Sequence, residues 1–98
     1  MGVNRNSINP ERSVVTIRQV KAARALVGWS QSDLARHSGI SEPTIARLES
    51  ADGALGGRGE TVKKILAALE ANGIEFIEAN GGGPGVRLRA ASKPKSRT

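Results

Sequence analysis

Apolar positions along this chain change their period once. From Val14 to Leu69 they recur three and four residues apart, and from Ile74 to Leu88 they tend to alternate. The first spacing is one face of a helix and the second is one face of a strand. Val14, Ile17, Val20 and Ala23 or Arg24 follow the helical spacing, and Ala22, Ala25 and Leu26 widen the apolar face. They predict a first helix from near Val14 or Thr16 to Val27, stopped by Gly28, which tolerates left-handed backbone. Ser30 opens a second helix: its hydroxyl can accept from freed amides, and Asp33 lies at capping-box spacing. Leu34 and Ala35 face inward. Ser41 caps a third helix, which tolerates Pro43 because a first turn requires no amide donor. Ile45 and Leu48 form that helix's buried stripe. After a loop at 51–59 with four glycines, Val62, Ile65, Leu66 and Leu69 fill the template of a fourth helix over roughly 60–72, ended by Asn72-Gly73.

Ile74-Glu75-Phe76-Ile77-Glu78 is rich in strand formers, Asn80 to Gly85 is turn material, and Val86-Arg87-Leu88-Arg89 alternates. The segment reads as a β-hairpin with a long connection. The expected organisation is an N-terminal arm (1–13), a helical domain (14–73), the hairpin (74–89) and a basic tail (90–98). The arm and tail have little to bury and read as unstructured.

Gln31 to Ser50 carries the functional information. Two helices that cross steeply need a small residue at closest approach, which Ala35 supplies. The chain then reverses within a short turn, and Gly39 meets the demand for positive φ. Ile40, Ile45 and Leu48 bury the back of the following helix. This register predicts a helix-turn-helix, and hence contact with duplex DNA. Glu42, Pro43, Thr44, Ala46 and Arg47 are left on the outer face and front end of the third helix, the part that enters a major groove. Arg47 has the fork for guanine O6 and N7, Glu42 can accept from a cytosine amino group, and Thr44 or Pro43 can pack on a thymine methyl. Ser41 and Ser50 bracket the same helix and join the expected DNA-contacting set. Gln31 and Ser32 begin the second helix, where free amides and short polar groups suit phosphate oxygens. Arg58 is in reach of phosphate from the glycine-rich loop.

Composition adds less. The formal charge is +6, but residues 14–50 carry only +2, residues 51–89 carry none and the last nine carry +3. The charge is thus weak support for polyanion binding, and the motif carries the argument. There are no cysteines, so disulfides and thiolate metal sites are excluded, and the composition fits a reducing, cytoplasmic setting. No apolar run approaches the about 20 residues needed to span a bilayer. The N-terminus lacks the apolar stretch of a signal peptide, and Asn6 stands where a myristoylation signal requires Ser or Thr.

Ala25-Leu26-Val27-Gly28-Trp29-Ser30-Gln31-Ser32-Asp33-Leu34-Ala35, then Gly39-Ile40-Ser41, then Thr44-Ile45-Ala46-Arg47-Leu48-Glu49, closely resembles the Cro/phage-repressor (XRE) type of helix-turn-helix over roughly residues 14–72. The resemblance implies a mostly α, lambda-repressor-like DNA-binding domain of four or five helices, here four followed by the hairpin. It also implies a homodimeric bacterial or phage regulator, in its usual form a repressor, on a two-fold, palindromic double-stranded DNA operator. By position, Gln31 matches the family's phosphate-binding glutamine. Glu42, Pro43 and Arg47 match its base-facing positions, and Arg24 with Glu49 matches an ion bridge between the first and third helices. The chain departs from the family in its glycine-rich 51–59 loop, in Pro43 where a hydrogen-bonding side chain is common, and in the hairpin that replaces the usual last helix.

Because an isolated hairpin is marginal in water, this one must pack on its own helices or pair with another chain. Ile74 and Phe76, with Val86 and Leu88, face one side, and Glu75 can pair with Arg87 or Arg89. One expectation is that Ile74, Phe76, Val86 and Leu88 build the dimer, so that truncation after Gly73 leaves a folded monomer. The alternative is an antitoxin-like module that binds a protein partner through 74–89 and uses DNA for autoregulation. Gly56-Gly57-Arg58-Gly59 lacks the preceding strand and the Lys-Ser or Lys-Thr of a phosphate-binding loop. His37, the only histidine, makes no metal site alone and is expected on an exposed helix face. Trp29 is expected to pack beneath the first turn of the second helix. No triad or paired carboxylates suggest an enzyme, and no cofactor is implied.

Overall fold

Backbone amides at the start of a helix have no partner within it, so the residue before each helix decides where it begins. Thr16 does this for α1 (Ile17–Val27): its hydroxyl accepts from the Gln19 amide at 3.1 Å, and Gln19 Oε1 accepts from the Thr16 amide at 2.8 Å. Ser30 and Asp33 build the same reciprocal box for α2 (Gln31–Ser38), at 3.0 and 2.9 Å. Ser41 caps α3 (Glu42–Glu49), with Pro43 in its first turn. The fourth helix, α4, spans Gly59–Ala71, one residue earlier at each end than its apolar spacing suggests. The computed structural model describes residues 15–56 and 59–89, so the expected arm and tail, and Arg58, lie outside the described residues.

The helices stop as their sequences imply. Gly28 and Gly39 cap α1 and α2 at φ 73° and 78°, a conformation that costs a Cβ-bearing residue. Ser30→Ala is expected to destabilise the domain by about 1 kcal/mol, since the Asp33 amide loses its acceptor. Urea melts of the two proteins check this, and an unchanged midpoint would mean that water caps α2 equally well.

Ile17, Val20, Ala23, Leu34, Ile45, Ile65, Leu69 and Ile74 fill the core. Ala22, Ala25 and Leu26, expected to widen the buried face of α1, are instead exposed, Leu26 at 44%. The inward place that spacing would give an apolar residue belongs to Gln19, buried at 5%. Its Nε2 donates to the carbonyls of Ile77 (3.1 Å) and Gly85 (2.8 Å), so one amide group fastens the hairpin to α1. Leu55, read from sequence as loop, is also in the core. It gets there because the loop pairs with the chain before α1: Leu55 N donates to Val15 O and Ile17 N to Gly53 O, each at 2.8 Å.

The hairpin consists of β1 (Ile74–Ile77) and β2 (Gly85–Leu88), antiparallel, with Ile74 opposite Leu88, Glu75 opposite Arg87, Phe76 opposite Val86 and Ile77 opposite Gly85. Ile74, Phe76, Val86 and Leu88 share a face, as the alternation predicts. That face packs on the chain's own α1 and α4, with Ile74 wholly buried and Phe76 and Val86 against the core. Truncation after Gly73 would therefore remove a core side chain, Ile74. Glu75 and Arg87 pair across the strands at 3.0 Å, on the exposed face.

Candidate nucleic-acid interface

The turn between α2 and α3 is held by a side chain that sequence reading passed over. Ser38, buried at the end of α2, accepts from the Ile40 amide at 3.2 Å through its hydroxyl. With Gly39 in the left-handed region, this fixes the reversal and seats Ile45 in the core behind α3.

At about 100° per residue, Pro43, Ala46, Arg47 and Ser50 share one arc of α3, opposite the inward Ile45, Leu48 and Glu49; Glu42 and Thr44 flank that arc. Glu42, Pro43, Arg47 and Ser50 are exposed, and Thr44 and Ala46 half-buried. Two hydroxyls are already engaged: Ser50 donates to the Arg47 carbonyl at 2.7 Å, and Ser41 donates to Thr44 Oγ1 at 2.9 Å. Neither Arg47 nor Glu42 has an ion-pair partner among the described residues. Thr44 retains its own hydroxyl proton. The surface therefore presents one unspent guanidinium on the same arc as two small apolar side chains, Pro43 and Ala46.

At the start of α2, Ser32 is exposed and Gln31 half-buried. The Ser30 hydroxyl and carbonyl take the amides of Asp33 and Leu34, and those of Gln31 and Ser32 are left to point off the helix end. Asp33, drawn on by the Ser30 amide and then by its hydroxyl, is held below the usual carboxylate range, and it also binds Arg36 at 2.7 Å. This end of α2 thus offers neutral donors rather than net positive charge.

Behind both elements lies the Arg24–Glu49 pair. Arg24 Nε and Nη2 reach the two Glu49 oxygens at 2.8 and 2.7 Å, and Nη1 donates to the Trp29 carbonyl at 2.9 Å. Glu49 is 5% exposed. Burial pushes its carboxyl up, but the hydrogen bonds from Arg24 and Gln31 and the charge of Arg24 outweigh this and hold it below the ordinary value. The same carboxylate, by hydrogen bond first, raises Arg24. One contact was not legible: Gln31 Nε2 donates to Glu49 Oε1 at 3.0 Å.

Trp29 is half-buried and lies flat on the exposed His37, ring centres 4.1 Å apart and planes 7° off parallel. The indole therefore reaches the last turn of α2. The helical spacing of Asp33 and His37 gives their shared face, but only coordinates place Trp29 upon it. Among the hairpin candidates, Ile74 is enclosed, Phe76 and Val86 are half-buried, and Leu88 is 46% exposed. No helix among the described residues is long and apolar enough to cross a membrane. A family model described as helix-turn-helix matches residues 20–76, more than half of the chain, from the middle of α1 into β1.

Proposed function

We propose, from the premise that the chain belongs to the helix-turn-helix family of the Cro/phage-repressor type, whose members are non-catalytic DNA-binding domains, that it is a sequence-specific transcriptional repressor acting as a homodimer on a palindromic operator. The observation that carries the reading is the surface of α3, where an Arg47 with no ion-pair partner among the described residues shares one arc with Pro43 and Ala46, beside two free amides at the start of α2. In this reading the α2 amides, Gln31 and Ser32 take phosphate oxygens and set the register. Arg47 reads a guanine edge, Pro43 and Ala46 meet a thymine methyl, and Glu42 and Thr44 contact the flanks of the site.

Selection of bound duplexes from a random pool tests this. The expected product is a two-fold sequence with half-sites about 10–10.5 base pairs apart, or a multiple of that. Enrichment of no sequence would end the reading, and a single asymmetric site would end its dimeric part.

Leu88 is the dimer contact in this reading, because it is the one of the four hairpin candidates left largely exposed by its own chain. Ile74 is withdrawn, since a wholly buried side chain has nothing to offer a partner. Leu88→Glu is expected to keep the fold and to shift the sedimenting species from dimer to monomer. A variant that still sediments as a dimer removes the hairpin from the interface.

A further inference from the structure

We propose that Glu49 is a positioning residue for DNA binding: held in place by Arg24, its carboxylate fixes the Gln31 amide so that the second Nε2 hydrogen faces the DNA backbone. The proposal rests on the reading that Gln31 contacts phosphate. Gln31 opens α2, with a flexible side chain at a helix end beside solvent. Left alone, such a side chain samples many rotamers and loses that freedom on binding. Here it is not left alone. Glu49 Oε1 accepts from Gln31 Nε2 at 3.0 Å and also from Arg24 Nη2 at 2.7 Å. Glu49 Oε2 accepts from Arg24 Nε at 2.8 Å, and Arg24 Nη1 is tied to the Trp29 carbonyl, just ahead of the α2 cap.

Every nitrogen of that guanidinium is engaged, so the carboxylate is pinned from one side and presents Oε1 to Gln31 from the other. An amide nitrogen carries two hydrogens. With one on Glu49, the other is available to an acceptor outside the protein, and Gln31 makes no other side-chain hydrogen bond among the described residues. The arrangement also sets which end of the amide faces the anion: a carboxylate accepts only, so the NH2 end turns toward it and the oxygen turns away. Arg24 has a second part in this. A phosphate that approaches Gln31 also approaches Glu49, and the bidentate guanidinium cancels the carboxylate charge that would repel it.

Three proteins and the selected duplex test the proposal by fluorescence anisotropy: Gln31→Ala, the paired replacement Arg24→Met with Glu49→Leu, and all three changes together. Exchanging a buried ion pair for apolar side chains of similar size preserves folding, and a melt of each protein checks it. Gln31→Ala in the native chain is expected to weaken binding about tenfold, the low end for a hydrogen bond to a charged group. The paired replacement should weaken it by nearly as much, and adding Gln31→Ala to it should cost almost nothing more. The slope of log affinity against log salt should stay unchanged throughout, because a neutral amide displaces no counterion. If Gln31→Ala costs the same tenfold in both backgrounds, Glu49 does not position Gln31 and the proposal is overturned. If Gln31→Ala costs nothing even in the native chain, the phosphate contact itself is wrong, which is a separate failure.

Discussion

Arg24→Ala is expected to destabilise the domain by about 3–5 kcal/mol, the loss seen when one member of a buried ion pair is removed. Glu49 is 5% exposed and its two carboxylate oxygens take three of their hydrogen bonds from Arg24 and Gln31. Without the guanidinium it is a buried charge with one neutral donor. In a domain of this size about 1 kcal/mol moves the melting temperature by roughly 4–8 °C, so the variant should melt at least about 12 °C lower at neutral pH. The pH dependence identifies the cause. In the native protein Glu49 is held low, so its contribution is present above its unfolded value of about 4.3 and is lost as pH falls through the lower folded value. In the variant, burial acts without Arg24 and raises the carboxyl. Its penalty is then largest at neutral pH and fades as acid protonates it. The gap between the two melting temperatures should therefore narrow from pH 7 toward pH 3. A gap that stays constant would show that lost packing, not charge, is responsible.

Arg47→Ala is expected to weaken binding to the selected duplex by about 1–3 kcal/mol and to relax preference at one base pair. The expectation follows from how little else the surface offers. Ser50 spends its hydroxyl on the Arg47 carbonyl, and Pro43 and Ala46 carry no side-chain donor or acceptor. Arg47→Lys keeps the charge and loses the planar fork, so it should recover binding to any duplex more than discrimination between duplexes. Titrations against the selected duplex and a scrambled one separate the two terms. Equal losses on both would show that Arg47 touches phosphate rather than a base.

The legible parts of this site are those that depend on near neighbours in the chain. A hydroxyl three residues before a freed amide is a cap wherever it occurs, so Thr16, Ser30 and Ser41 mark helix starts. The apolar set of α4 has one dominant stripe and reads without ambiguity. In α1 the same reading fails, because Ala22, Ala25 and Leu26 are apolar yet exposed while Gln19, three residues before Ala22 and seven before Leu26, is polar yet buried. Its polar side chain gives Gln19 no reason of its own to be inside. What holds it there is a pair of carbonyls 58 and 66 residues away. Trp29 on His37 and Gln31 on Glu49 were missed for the same reason, since each needs a side-chain direction that spacing does not supply.

By itself the sequence determined the helices, the left-handed turn at Gly39, the Arg24–Glu49 partnership through its family resemblance, and the outward set on α3. Caps, turns and face periodicity are short-range constraints that act before the chain has a shape. Only the tertiary structure decided that the hairpin is part of the core, that Leu55 is buried while Leu26 is not, and that Gln31 leans on Glu49. Those outcomes depend on where distant backbone carbonyls and a buried charge come to rest. Their energies exist only once the chain has folded around them.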